Sequence, residues 1–192
     1  MRAVFPQLPP ATPRTRVSLL ALTMLVHQSH YFSYCCFLPW IFIKVLALPL
    51  PLVGAAFALG WVSYCFAPIL FQRLPPVKVF ITGHLLVTVA LCAICFCTHR
   101  LLPVLAAWFF SGFGGGSVYC LRDLNGRRGS LATDLDSWEN LGHVSGAAIA
   151  LIAATASNTP HCAFAVAAIL ALSTAILGRQ AAQPPSTQEV SK

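Results

Sequence analysis

The chain has 192 residues, of which 57% are hydrophobic and 9% are charged, and its formal net charge is +7. A soluble domain carries roughly 25% charged residues, so this composition excludes an ordinary soluble protein and indicates a membrane protein. The basic residues lie in short loops between apolar segments rather than on one solvated face, which argues against nucleic-acid binding.

The eight cysteines lie almost all inside apolar segments. The one closely spaced C-x-x-C pair, Cys92 and Cys95, falls in the middle of such a segment and has no flanking histidine or further cysteine. We therefore interpret the cysteines as small buried hydrophobic residues. The sequence predicts neither a metal site nor another cofactor.

The chain divides into six apolar segments, each near the ~20 residues that a bilayer requires. Prolines lie at several of their ends, as helix boundaries require. A proline-rich basic stretch, 1–16, is too interrupted for a helix and is predicted to be a tail, and 179–192 is a second polar tail. The sequence thus predicts an all-α polytopic membrane protein whose domain, 17–178, contains six transmembrane helices at 17–44, 52–72, 77–98, 101–121, 131–156 and 161–178.

The loop charges predict the orientation. With six spans, one side of the membrane collects ten of the twelve Lys and Arg residues, and the other side holds only Lys44 and Arg100. By the positive-inside rule, both termini and the 122–130 loop are cytoplasmic. We expect a multi-pass protein of the plasma (inner) membrane.

The fifth segment carries titratable residues. Asp136, Glu139 and His143 fall at i, i+3 and i+7, on one helical face, and Asn140 lies beside them. Such groups are costly in lipid, so they are expected to face a cavity or a partner, where they would form a proton-coupling or solute path. For Asp136 a simpler role, at the helix start in the cytoplasmic interface, is favoured.

Histidines in other segments are harder to interpret. His27 and His30 share a face of the first segment, and they either line the solute path or satisfy one another as structural hydrogen-bond donors. His84 stands alone in the third segment and is predicted to be a structural histidine.

The residues also resemble half of a major facilitator superfamily (MFS) transporter. Arg128-Gly129 after the fourth segment, Leu141-Gly142 about a dozen residues later and then Gly146 match a pattern of that family. The run from Gly112 to Gly116 looks like its glycine-rich fourth helix, and Phe37-Leu38-Pro39 looks like the exit of its first helix. The resemblance implies a cytoplasmic gate formed by Arg122, Asp123 and Arg128. It also implies close helix packing at Gly112, Gly114, Gly116, Gly142 and Gly146.

Transporters of this family usually have two six-helix halves with the solute site between them. The leading hypothesis is therefore a non-enzymatic half-transporter that moves a small polar or amphipathic solute, coupled to protons. Its expected partners are the lipid bilayer, the solute, and a second copy or another six-helix chain. One alternative is a b-type cytochrome-like electron carrier, with haem held by two of His27, His30, His84 and His143. Another is a non-catalytic accessory subunit.

Overall fold

The computed structural model describes residues 13–71, 73–120, 132–159 and 161–182. All regular secondary structure within these ranges is helical, which confirms the predicted all-α class. In chain order the elements are α1 (Pro13–Cys35), α2 (Leu38–Trp40), a π-helical turn (Ile41–Val45), α3 (Leu50–Phe71), α4 (Pro76–Cys97), α5 (Leu101–Gly115), α6 (Ala132–Ser157) and α7 (His161–Ala181).

Five segments are long and apolar enough to cross a membrane: α3, α4, Leu101–Cys120 with α5 in it, the Leu135–Ser157 part of α6, and α7. They agree within a few residues with the last five predicted spans. The 23 residues of α1 have the length of a span,, but the second half of this helix contains the polar sequence His27-Gln28-Ser29-His30. Both histidines and the serine are buried in the bundle. α1 can therefore carry these polar side chains, because they face other helices and not lipid.

The first predicted span is interrupted, and its start was predicted wrongly. α1 begins at Pro13, inside the stretch predicted to be non-helical; proline is tolerated in the first turn because its missing N–H has no acceptor to meet there. α1 ends at Cys35, since Pro39 has no N–H to donate to the Cys35 carbonyl. The chain then turns through α2 and the π-helical turn to Ala47, whose φ of 51° lies in the left-handed region,.

α1 packs along two of the described helices and reaches three others through individual side chains. It packs directly against α6 and α7, while α4 packs against α5 and α7, and α3 packs against α5. Large aromatic side chains connect α1 to α3 and α5. The ring of Tyr31 lies 5.4 Å from that of Trp61 and 6.4 Å from that of the fully buried Trp108. The hydroxyls of Tyr34 and Ser111 are hydrogen-bonded at 2.7 Å.

Glycines allow α5 to approach its neighbours closely. A Cβ atom at Gly112 would meet the backbone carbonyl oxygen of Gly60 and the hydroxyl of Ser63 on α3. A Cβ atom at Gly114 would meet the carbonyl oxygen of Gly83 on α4. Small residues at such positions are how transmembrane helices bring their backbones together, so α5 is held between α3 and α4.

Candidate functional site

Three buried histidines from two helices meet inside the bundle. His27 and His30 come from successive turns of α1, and their ring centroids are 4.9 Å apart. His84 comes from α4, with its ring 5.1 Å from that of His27 and 5.6 Å from that of His30. None of the three side chains has any exposed surface. We refer to these residues as the histidine cluster.

The hydrogen bonds of His84 determine which of its nitrogens carries the proton. Its Nδ1 atom lies 2.9 Å from the carbonyl oxygen of Phe80, one turn earlier in α4. Because a carbonyl oxygen only accepts, Nδ1 carries the hydrogen and Nε2 presents a lone pair. That Nε2 atom is 2.9 Å from Nδ1 of His27, which therefore donates to it. The hydroxyl of Ser117 lies 3.4 Å from Nδ1 of His84, on the far side of the ring from His27.

Several polar atoms of this region form no hydrogen bond of good geometry with the described residues, although His30 has weak contacts with the backbone of Val26 and His27, and Tyr31 has one with Cys35. They are Nε2 of His27, both ring nitrogens of His30, and the hydroxyl of Tyr31. Buried polar groups in proteins are nearly always paired, so three poorly hydrogen-bonded imidazole nitrogens in one cluster require an explanation. Together the three side chains offer ligand atoms that all lie within 4.8 Å of one another, so they could hold a metal ion.

This geometry does not favour the haem hypothesis. Two axial imidazoles of a b-type haem stand on opposite faces of the macrocycle, whereas His27 and His84 are in direct hydrogen-bond contact. His143, the fourth histidine considered, packs instead against Phe32, with ring centroids 4.2 Å apart.

A second polar region follows the contact between α1 and α6. Gly142 lies against α1, where its Cβ atom would be 2.6 Å from Cβ of Gln28, and Gly146 lies against the carbonyl oxygen of Ser29. The hydroxyls of Ser29 and Ser145 are hydrogen-bonded at 2.8 Å across the same contact. The predicted packing residue Gly116 similarly meets the backbone of α3.

Beside this contact lies a partly open surface, which we call the α1–α6 face. It consists of Gln28 and Phe32 on α1 and Glu139 and His143 on α6, all four of which are half-buried. Asp136 and Asn140, on the same helix, are exposed. Glu139 and His143 are thus both half-buried on one helix, whereas His27 and His30 lie inside the bundle with His84.

Other predictions are placed differently. The predicted gate residues Arg122, Asp123 and Arg128 lie outside the described residues. Sequence reasoning missed the part His84 plays, because nothing in the apolar sequence of α4 indicates which helix its imidazole will meet. A groove of about 300 Å³ between α3, α4 and α5, lined by Phe71, Leu74, Lys78 and Phe113 among others, contains none of the predicted site residues.

No family model matches the sequence, and no curated protein matches it. The structure, in contrast, resembles a solved structure. The fold is similar to that of a POT family transporter. The comparison with the in meso crystal structure of the POT family transporter PepTSo gives a TM-score of 0.71 at 15% sequence identity. It covers 88% of this chain but only 37% of that transporter, so the chain spans well under half the length of the protein it resembles. POT transporters are of the MFS type, so the structural likeness and the resemblance found in the sequence indicate the same fold.

Proposed function

We propose that this chain is one half of a secondary transporter, and that it moves a small polar or amphipathic solute together with protons. The observation that carries the proposal is the exposure of polar residues of α6 at the α1–α6 face and beside it. Asp136, Glu139, Asn140 and His143 lie within a helix of spanning length, yet the bundle leaves all four at least partly uncovered. Titratable side chains in such helices face a water-filled cavity or a partner rather than lipid.

The coverage of the helices supports a missing partner. Of the residues in the most apolar stretch of each helix, only 17% are buried in α6 and 28% in α3. The corresponding share is 56% in the segment that contains α5. A second six-helix body, from another copy or another chain, would cover these two helices and enclose the polar residues between the halves. The likeness to part of a POT family transporter supports the same arrangement.

Within this proposal Glu139 carries the proton and His143 modulates it. Their spacing of four residues places both side chains on one face of α6, within reach of each other or of a shared water. Asp136 lies one turn nearer the cytoplasmic end and acts in the entrance, and Asn140 contributes an uncharged hydrogen-bonding group to the solute path. His27 and His30, which we also predicted for this path or for a structural role, are completely buried behind the α1–α6 face, and the proposal assigns them no part in the path.

The test uses proteoliposomes that contain the full chain, together with any partner that co-purifies. A pH gradient is imposed, and proton movement driven by a panel of amino acids, sugars and aromatic amines is followed with a trapped pH-sensitive dye. We expect Glu139→Gln to abolish proton-driven movement while solute exchange across the membrane continues. Glu189→Gln makes the same chemical change in the C-terminal tail and serves as the matched control.

His143→Ala should behave differently from Glu139→Gln, because it removes a neighbour of the carrier and not the carrier itself. We expect it to shift the pH optimum of transport and to leave coupling intact. If Glu139→Gln protein, normalised to the amount inserted, remains fully proton-driven, the coupling role is wrong. If no solute in the panel moves protons in the assembled wild type, the accessory-subunit hypothesis takes its place.

A further inference from the structure

We propose that His27, His30 and His84 form a binding site for one first-row transition-metal ion inside the helix bundle. This inference does not rest on the transporter proposal, because it concerns a fully buried cluster and applies equally to an accessory subunit. The three side chains offer one nitrogen each, and these atoms all lie within 4.8 Å of one another, so side-chain rotation would bring them onto a single ion.

The distance between His27 and His84 is close to the one that a metal requires. Zinc–nitrogen bonds are about 2.0–2.1 Å long, so two imidazole nitrogens on a tetrahedral ion lie roughly 3.3 Å apart. Nδ1 of His27 and Nε2 of His84 are now 2.9 Å apart and share a hydrogen. An ion would take the place of that hydrogen, which would move to Nε2 of His27 so that the imidazole stays neutral, and the pair would open by a few tenths of an ångström. Side-chain rotations of that size need no movement of α1 or α4.

His84 already has the orientation of a metal ligand. Metal-binding histidines almost always donate their second ring N–H to a backbone carbonyl or a carboxylate, which fixes the tautomer and the ring plane. His84 donates from Nδ1 to the carbonyl oxygen of Phe80 at 2.9 Å, so its Nε2 lone pair points into the cluster.

The poorly hydrogen-bonded nitrogens are the independent observation that indicates a ligand. Nε2 of His27 has no hydrogen-bond partner among the described residues, and the ring nitrogens of His30 have only weak contacts with the backbone of Val26 and His27, although the side chains are completely buried. A buried imidazole that lacks hydrogen bonds is unfavourable. Coordination would use one nitrogen of His30 directly and so remove part of this cost.

The donor set identifies the class of ion. Neutral imidazoles suit zinc and copper, whereas magnesium and calcium require oxygen ligands. Among the described residues, no Asp or Glu side chain is buried beside the cluster. The charge of the ion therefore stays uncompensated, which favours an ion of low charge or one that binds an anionic fourth ligand. Cu⁺ and Zn²⁺ are accordingly the two ions to test.

The experiment uses the full chain purified in detergent with an affinity tag that contains no histidine. The protein is loaded separately with Zn²⁺ and with Cu⁺ under reducing conditions, desalted, and analysed by inductively coupled plasma mass spectrometry. We expect about one ion per chain to be retained, and the retained ion identifies the preferred metal. His30→Gln and His84→Gln should each weaken retention at least about tenfold, since even the loss of an outer-shell partner costs that much.

His99→Gln is the matched control, because it makes the same change at an exposed histidine and should retain metal like the wild type. Circular dichroism shows whether each variant keeps its helices. A folded wild type that retains neither ion would overturn the proposal, as would cluster variants that retain as much metal as the control.

X-ray absorption of the loaded wild type decides the question without any variant. Three nitrogen ligands with imidazole scattering would support the site. Sulfur ligands would show that cysteines hold the ion, and the assignment to the histidine cluster would then be wrong.

Discussion

Nδ1 of His27 lies 2.9 Å from Nε2 of His84, although 57 positions separate the two residues in the chain. This contact joins α1 to α4, two helices that are not consecutive spans. Both rings are completely buried, so neither can turn to water for a replacement partner. The stability of the bundle should therefore depend on the pair.

In protein from which a chelator has removed any metal, we expect His84→Leu to lower the free energy of unfolding by about 1–3 kcal/mol. The reason is that it leaves the Nδ1 hydrogen of His27 buried without an acceptor. Unfolding in a mixed-detergent titration measures the change. His99→Leu makes the same substitution at an exposed position and should have little effect. The double variant His27→Leu with His84→Leu should recover part of the loss, since it removes both partners. Strictly additive losses would show that the two residues are not coupled.

A second prediction concerns the close approach of α5 to α3. Gly112→Ala places a methyl group against the backbone carbonyl oxygen of Gly60, which cannot move without separating the two helices. Overpacking of this kind costs about 1–3 kcal/mol. Gly54→Ala provides the matched control on α3, because no atom lies within 4 Å of the new methyl group. That control should be neutral or stabilising by up to ~1 kcal/mol, as alanine is the better helix former.

Both alanine variants are measured in the same mixed-detergent titration. Equal stability of the two proteins would contradict the packing role of Gly112.

A third prediction concerns topology. Reporters fused at Lys192 and within 126–130 should report the cytoplasm, and a reporter at Asn158 should report the opposite side of the membrane. The bias of ten basic residues to two motivates this expectation,. Asn158 lies between α6 and α7 with a φ of 53°, a turn conformation that asparagine tolerates. A cytoplasmic signal at Asn158 would be incompatible with six spans.

A fourth prediction concerns the partner. A photo-crosslinking amino acid in place of Val144, 71% exposed and next to His143 on α6, should capture a second copy or one defined protein in native membranes. The same replacement at Ile169, 65% exposed on α7, should capture lipid alone. Gel mobility and mass spectrometry identify the products. Lipid adducts alone at both positions, in a protein that still transports, would show that one six-helix bundle is sufficient.

The sequence determined the class of the protein and most of its helix bounds. Apolar length and proline positions are local properties, and a bilayer turns them directly into spans, so five spans agree with the structure within a few residues. The prediction that Glu139 and His143 share one face of a helix likewise followed from the helical period alone. The exception was the first span. The effect of Pro13 on the start of α1 was not anticipated, and Pro39, although matched to a helix exit, was placed inside a span that continued to residue 44.

Only the tertiary structure decided which polar residues meet. His84 looked isolated because its neighbours in sequence are apolar, and its partners His27 and His30 come from another helix. Hydropathy is a property of one segment, whereas the pairing of α1 with α4 depends on how every helix packs, including the approaches at Gly112 and Gly114. The same packing buries the three histidines and leaves most of the spanning part of α6 exposed, apart from its contact with α1. For that reason the α1–α6 face and the histidine cluster are two distinct sites, although both involve residues of α1.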